Sequence, residues 1–339
     1  MVRPLLSACM IVRNEEANLR RCLASLSGLV DEIALVDTGS TDGTLEIARE
    51  AGARVIRDEW RNDFSFHRNQ SIELATGKWC LIIDADEEVV ETVIGAARWH
   101  LEHDVLPPLL MVRVLLQYPD GKQLEMLVPR LMQKDAGIRY MHAVHEQLDV
   151  EDCPARLSSV RIRHHGYLSG PELARKEKRN LALAEAMPPG PHAWHCRARA
   201  AMTLKDWPRV VEPCRELARS DTSPVLRLEA CVLGGVAACR VRDDNQLAEF
   251  ARIASDLGVD SPDRHLLDVL VAMRRYAGSL AEGDSMTPGP FLRPWTFWHD
   301  RTQAELMMEV LLGERRMLNA APERPDGGSG KDGLVHREG

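Results

Sequence analysis

The chain has no Cys-x-x-Cys pair, no apolar run of membrane-spanning length and no excess of basic charge, and each absence removes a class of protein. Its eight cysteines, at 9, 22, 80, 153, 196, 214, 231 and 239, are scattered, and several fall inside apolar helical or strand patterns. They read as reduced core residues rather than as a disulfide framework or a zinc site, which favours the cytoplasm. The net charge of −8 leaves no basic footprint for nucleic acid. The opening MVRPLLSACMIVRNEE is too short in its apolar part to span a bilayer, and it runs into a polar turn without a small-residue cleavage site. Any membrane contact is therefore expected to be peripheral. A length of 339 residues suits one large domain or two modest ones.

What the chain does have is WCLIIDADEE, from Trp79 to Glu88. The apolar run Cys80 to Ile83 suits a strand buried on both faces, and it delivers Asp84 and Asp86 where the strand leaves the core. If the chain stays extended there, the two-residue period points both carboxylates the same way. Two acids facing one space call for a cation. A solvated acidic turn is the plainer reading of any single Asp-x-Asp, so the rest of the chain has to decide.

Strand candidates Leu5 to Val12, Glu32 to Val36 and Ala53 to Ile56 precede this one. They alternate with helices starting after Asn14, after Asp42-Gly43 and near Phe64, which implies right-handed crossovers and a mostly parallel sheet. Asn14 reads as a helix cap, with Glu15 and Glu16 in the first turn. In such sheets ligands bind beyond the carboxyl ends of the strands. Here those ends carry Arg13, Asn14 and Glu15, then Asp37, Ser40 and Asp42, then Asp84 and Asp86. Three acidic strand ends on one edge describe a site. Asp42 reads more naturally as the cap of its own helix, and Glu87 and Glu88 as the first turn of the next.

Beyond residue 108 the pattern turns to antiparallel strands, Leu109 to Tyr118 and Lys122 to Val128 about Pro119-Asp120-Gly121, then Gln147 to Val150 and Ser158 to Arg163. From Pro171 the chain reads as successive amphipathic helices to Tyr276, with one more at Arg301 to Arg316. The distance from Pro191 to Ser223 is close to one tetratricopeptide unit. Trp295, Phe297 and Trp298 read as a core plug, and a tail rich in Gly, Pro and charge is expected to be disordered. The expected organisation is an α/β mixed-sheet domain over 1–168, an all-α helical-hairpin domain over 169–318 and a disordered tail over 319–339.

The segments MIVRNEEANLRRCLASL, DEIALVDTGSTDGTLEIA, DFSFHRNQSIELATGKW, LIIDADEE, VHEQL and HHGY together resemble the family 2 glycosyltransferases of GT-A fold, over roughly residues 5 to 180. The version with V-H-E, H-x-G-Y and a helical, tetratricopeptide-like tail is similar to a bacterial subgroup. That subgroup includes enzymes of lipopolysaccharide core assembly and enzymes that glycosylate bacteriocin peptides, sometimes on cysteine.

The resemblance implies an inverting transferase that takes a sugar from a nucleotide sugar, expected to be a UDP sugar. The acceptor would be a peptide, a lipopolysaccharide-type glycan or another cell-envelope molecule. It implies Mg²⁺ or Mn²⁺ on Asp86, completed by His164, with His165 as the alternative. It gives Asp84 to the donor's ribose or sugar, Asp37 to the base, Arg13 and Glu15 to the base pocket, and Arg68 to the diphosphate. Glu146 of VHEQL becomes the base that takes the acceptor proton, with Arg130 and His145 on the acceptor side. The residue-level alternatives are capping for Arg13 and Glu15, and solvated surface charge for Arg68 and Glu146. The helical region would grip the acceptor or a second copy in a homo-oligomer, or would only cover the catalytic domain. A different class of function is a scaffold that binds a nucleotide sugar without turnover. A nucleotidyltransferase would need a Gly-rich basic phosphate loop near the start, where VRNEE stands.

Overall fold

The computed structural model of the protein describes residues 3–90, 94–117, 123–150, 153–165 and 170–259, with Leu267 and Val271. The Pro119–Gly121 turn, Gly166 and Tyr167 of HHGY, nearly all of the helix expected from Pro262, the helix expected from Arg301, the aromatic cluster at 295–298 and the tail lie outside these residues. Two compact units divide between Leu204 and Lys205.

The first unit begins with β1 (Leu6–Val12), α1 (Glu16–Ser25), β2 (Glu32–Asp37), α2 (Thr44–Glu50), β3 (Arg54–Arg57), α3 (Phe64–Leu74) and β4 (Trp79–Ile82). All four strands pair in parallel, in the order β3-β2-β1-β4. Alternation along the buried strands sorts their side chains into two layers. Ala8, Met10, Val12, Leu81 and Ile83 pack with Leu19, Cys22 and Leu23 of α1 and with Ile47 and Ala48 of α2. Cys9, Cys80 and Ile82 pack on the opposite face with Ile72 and Ala75. Gly77 lets the chain enter β4, since a Cβ there would lie 2.6 Å from Ser7 Oγ and 2.9 Å from its backbone nitrogen.

Three local expectations change. Asn14 does not cap α1. It takes a left-handed φ of 56°, and its side-chain oxygen accepts from Thr41 N at 2.8 Å. Second, the extended strand stops at Ile82, and a turn in which Glu87 N donates to Asp84 O at 3.1 Å replaces the straight run through Asp86. Third, Glu87 and Glu88 open a strand, β5 (Glu87–Val89), rather than a helix; α4 (Ile94–His103) comes later.

The sheet continues through β6 (Leu109–Gln117), β7 (Gln123–Gln133) and β10 (Ala155–His164), while β8 (Tyr140–Met141) and β9 (Gln147–Leu148) form a small separate pair. The full order is β3-β2-β1-β4-β7-β6-β10-β5. The second half is mixed rather than purely antiparallel: β7 opposes β4 and β6, but β10 runs parallel to β6. Two reversals therefore bring β10 back to the direction of β4, and His164 at its carboxyl end faces the same edge as Asp84.

Four strand gaps at about 4.8 Å separate β4 from β5 across a flat sheet, roughly 19 Å. Only four residues lie between Ile82 and Glu87, five steps with a reach of at most about 18 Å when fully extended. The sheet therefore curls, and β5 comes round to the acids at the end of β4. All eight cysteines are free and seven are buried, which fits their reading as core residues.

Helices α5 (Gly170–Ala186) and α6 (Pro191–Thr203) belong to this first unit, so it extends past the boundary at 168 suggested by the sequence. The second unit contains α7 (Trp207–Arg219), α8 (Pro224–Val241) and α9 (Asp244–Asp256). On α8, Gly234 admits the ring of Phe250, which a Cβ would meet at 2.3 Å. Among the described residues, no helix is long and apolar enough to cross a membrane. The α/β sheet domain followed by helices is the class that the sequence indicates.

Candidate active site

The carboxyl edge of the sheet holds two groups of side chains. At the ends of β1, β2 and β3, a cleft of about 650 Å³ is lined by Arg13, Asp37, Thr38, Gly39, Arg57, Asp58, Glu59 and Trp60. Asp37 is fully buried. It accepts from Ser40 N at 3.1 Å and Gly39 N at 3.3 Å, and Arg57 Nε stands 3.8 Å away. Gly39 makes this turn with a φ of +104°, which a side chain would strain. Arg13 and Asp37 thus share the cleft expected of them.

Glu15 is not among the lining residues. It sits at the start of α1, where its side chain accepts from Asn18 at 3.0 Å. Burial, reinforced by Asp86 and Asp84, raises its pKa. Asp42 caps in two directions, accepting from Thr44 N at 3.1 Å on its own helix and from Glu16 N at 3.2 Å on α1.

The second group gathers around Asp84, whose two oxygens face two guanidiniums. Arg68 Nη2 of α3 lies 3.0 Å from Oδ1, and Arg130 Nη2 of β7 lies 3.3 Å from Oδ2. Arg130 also reaches Glu87 Oε1 at 3.2 Å, and Glu87 accepts from Asp84 N at 2.8 Å. Glu87 is only 1% exposed, so this neighbour of the expected pair is the most deeply set acid of the group.

On its other side, Arg68 Nε donates to Glu146 Oε1 at 2.6 Å. Its Nη1 is buried and has no hydrogen-bond partner among the described residues. Asp84, Asp86, Glu87 and Glu146 together meet two guanidiniums and the imidazole of His164. The ring's Nδ1 lies 3.7 Å from Asp86 and 3.6 Å from Glu87.

The protonation directions follow from these partners. Burial works against charge at Asp84, but Arg68 and Arg130 outweigh it and hold the carboxyl well below its usual range. Asp86 goes the other way. Burial raises it most, the attraction of His164 opposes the rise, and the repulsion of Asp84 and Glu87 adds to it. For His164, burial is opposed by Glu87 and Asp86, and the acids win, so its pKa rises. Among the close pairs, four acids face two guanidiniums and one imidazole, and Lys176 acts on Asp86 from farther off.

His165 is committed elsewhere, with Nε2 2.8 Å from Glu88 Oε2. His145 follows a left-handed turn, φ 50°, and reaches solvent. Surrounding protein and then the charge of Arg199 push its imidazole down to about 4. Arg130, expected on the acceptor side, lies with Asp84 and Glu87.

Residues 7–103 match the family model for Glycosyl transferase family 2. The match covers both arginine- and acid-bearing strand ends as far as α4, and with the mixed sheet it gives the fold as GT-A. A TPR repeat-containing protein of Synechococcus elongatus is 42% identical over 144 residues, which cover 42% of this chain and 35% of that one. The prophage-derived glycosyltransferase SunS of Bacillus subtilis is 26% identical over 197 residues, 54% of this chain and 45% of that one. TarS of S. aureus, solved in complex with UDP-GlcNAc, is 14% identical with a TM-score of 0.43, covering 74% of this chain and 90% of that one. The chain spans less than half the length of these two curated relatives.

The sequence pattern missed Glu87, Arg57 and Trp60. For the last two a signal existed, because β3 is a fourth parallel strand ending on the same edge. Glu87 gave none, since an acid after a strand fits a helix start equally well.

Proposed function

We propose that the protein is a metal-dependent, inverting glycosyltransferase using a nucleotide sugar, with UDP sugars as the first donors to test. The observation that carries this reading is the acid corner of Asp84, Asp86 and Glu87, set on the same sheet edge as the cleft at Asp37 and tied through Arg68 to Glu146. Among the described residues, no group of three or more His, Cys, Asp or Glu side chains is arranged to hold a metal by itself. Asp86 and His164 fit a site of another kind. Mg²⁺ and Mn²⁺ at nucleotides take one or two protein ligands and complete their shell with phosphate oxygens and water. A crowded carboxyl whose pKa is raised beside other acids suits that role. Bound there, the ion would neutralise charge on the leaving diphosphate.

The protein's own residues supply the rest. Asp37 and Arg13 receive the base, and Asp84, held ionised by two arginines, orients the ribose or sugar. Arg68, whose Nη1 has no partner among the described residues, is assigned to the diphosphate. Glu146 takes the proton from the acceptor hydroxyl as the new bond to the anomeric carbon forms and the bond to the diphosphate breaks on the opposite face. The acceptor is a peptide, glycan or lipid-linked group. A thiol acceptor would depend less on Glu146, because thiolates form readily.

A panel of nucleotide sugars with Mn²⁺ or Mg²⁺, read as release of nucleoside diphosphate, tests the reading. Metal-dependent release from at least one donor is expected. Donor binding without release under any acceptor or hydrolysis condition would favour the scaffold instead.

A further inference from the structure

Glu146 ends a short loop whose backbone is held in an unfavourable shape. His142 and His145 both have left-handed φ, 74° and 50°, although neither is glycine. Residues with a Cβ keep such angles only where their surroundings fix them. Two consecutive carbonyls do the fixing. Ala143 O accepts from Phe64 N at 2.9 Å, which uses one of the free donors at the start of α3. Val144 O lies 3.0 Å from His192 Nε2 on α6. A carbonyl only accepts, so this ring nitrogen carries the hydrogen. The same ring stacks on His142, with centroids 3.8 Å apart and planes 14° from parallel. The Val144 side chain is buried against Leu183, Ala184 and Cys196. One imidazole therefore touches the loop at its first left-handed residue and at the carbonyl preceding the second.

We propose that His192 is a positioning residue for Glu146: by donating to Val144 O and stacking on His142, it holds the loop in the shape that presents the carboxylate to the acceptor. The inference rests on the glycosyltransferase reading. It assigns part of the catalytic geometry to α6, beyond the residues matched by the family. Burial lowers the pKa of His192, which keeps the ring neutral and stackable near pH 7.

The test compares wild type with His192→Ala and His192→Gln, using UDP-glucose and UDP-N-acetylglucosamine with Mn²⁺ and water as the acceptor. Misplacing a catalytic group by about 1 Å costs on the order of 10²-fold in rate. His192→Ala is expected to lower kcat by roughly 10- to 100-fold while KM for the donor stays within about twofold. His192→Gln, which restores a donor, should recover much of that loss. Faster amide exchange confined to residues 143–147 should accompany the Ala variant. An unchanged kcat in His192→Ala, with wild type active, overturns the role of His192 and leaves glycosyl transfer standing. A parallel loss of kcat, donor affinity and thermal midpoint that Gln does not restore also overturns it, since that marks general packing. Absence of diphosphate release from wild type with every donor overturns the glycosyltransferase reading, and this inference with it.

Discussion

The two ends of the site neutralise their acids in different ways. Asp37 and Asp42 are satisfied mainly by backbone amides, Ser40 and Gly39 a few residues away for the first, and the nearby Thr44 with Glu16 of α1 for the second. Asp84, Asp86, Glu87 and Glu146 instead depend on charges delivered by distant elements: Arg68 from α3, Arg130 from β7 and His164 from β10. The first arrangement rests mostly on amides of the adjoining turns. The second is assembled by distant elements, with three close cations for four acids. Under the proposed function, a neutral base at one end and a metal diphosphate at the other would suit this asymmetry, because a charged ligand gains most where compensation is missing.

Substitutions should separate the ends. The largest effect is expected from Asp86→Ala, which removes the proposed metal carboxylate. Metal-dependent diphosphate release should fall by roughly four orders of magnitude, about 5.5 kcal/mol in barrier. The thermal midpoint without ligand should hold or rise, since a crowded acid is gone. Next is Glu87→Ala, which leaves Arg130 buried with half of its partners; breaking a buried pair costs about 3–5 kcal/mol, read by urea unfolding. The adjacent Glu88→Ala should cost under about 1 kcal/mol, because its pair with His165 is partly exposed. A similar loss at both positions would contradict the burial of Glu87 in the acid corner.

At the local end, Asp37→Ala should cost about 1.5–3 kcal/mol from its charge-assisted bonds and weaken nucleotide binding with or without metal. Asp42→Ala should be milder than Asp37→Ala, a small fall in thermal midpoint from lost capping, with donor affinity unchanged in calorimetry.

The same contrast decides what was legible in the sequence. Local features could be read directly: the four parallel strands, the acids at their ends and Asp42 as a cap all depend on neighbours within a few residues. Asn14 was misread because its partner, Thr41, lies on another loop, and a cap signal looks the same wherever the oxygen points. Glu87 was assigned to a helix because its burial comes from pairing with His164, which only the curled sheet brings near. Arg68 looked like a phosphate ligand or a surface charge. Its bond to Glu146, 78 residues away, had no trace in spacing. His192 was hidden for the same reason, as it acts on a carbonyl 48 residues upstream.

The most direct test of the central claim is calorimetric titration of UDP into wild type and Asp86→Ala, each with and without Mn²⁺. The account predicts that Mn²⁺ tightens binding to wild type at least tenfold, about 1.4 kcal/mol, and leaves the Asp86→Ala affinity unchanged. An equal gain with Mn²⁺ in both proteins would contradict it, because the metal would then be held without the acid corner on which the account rests.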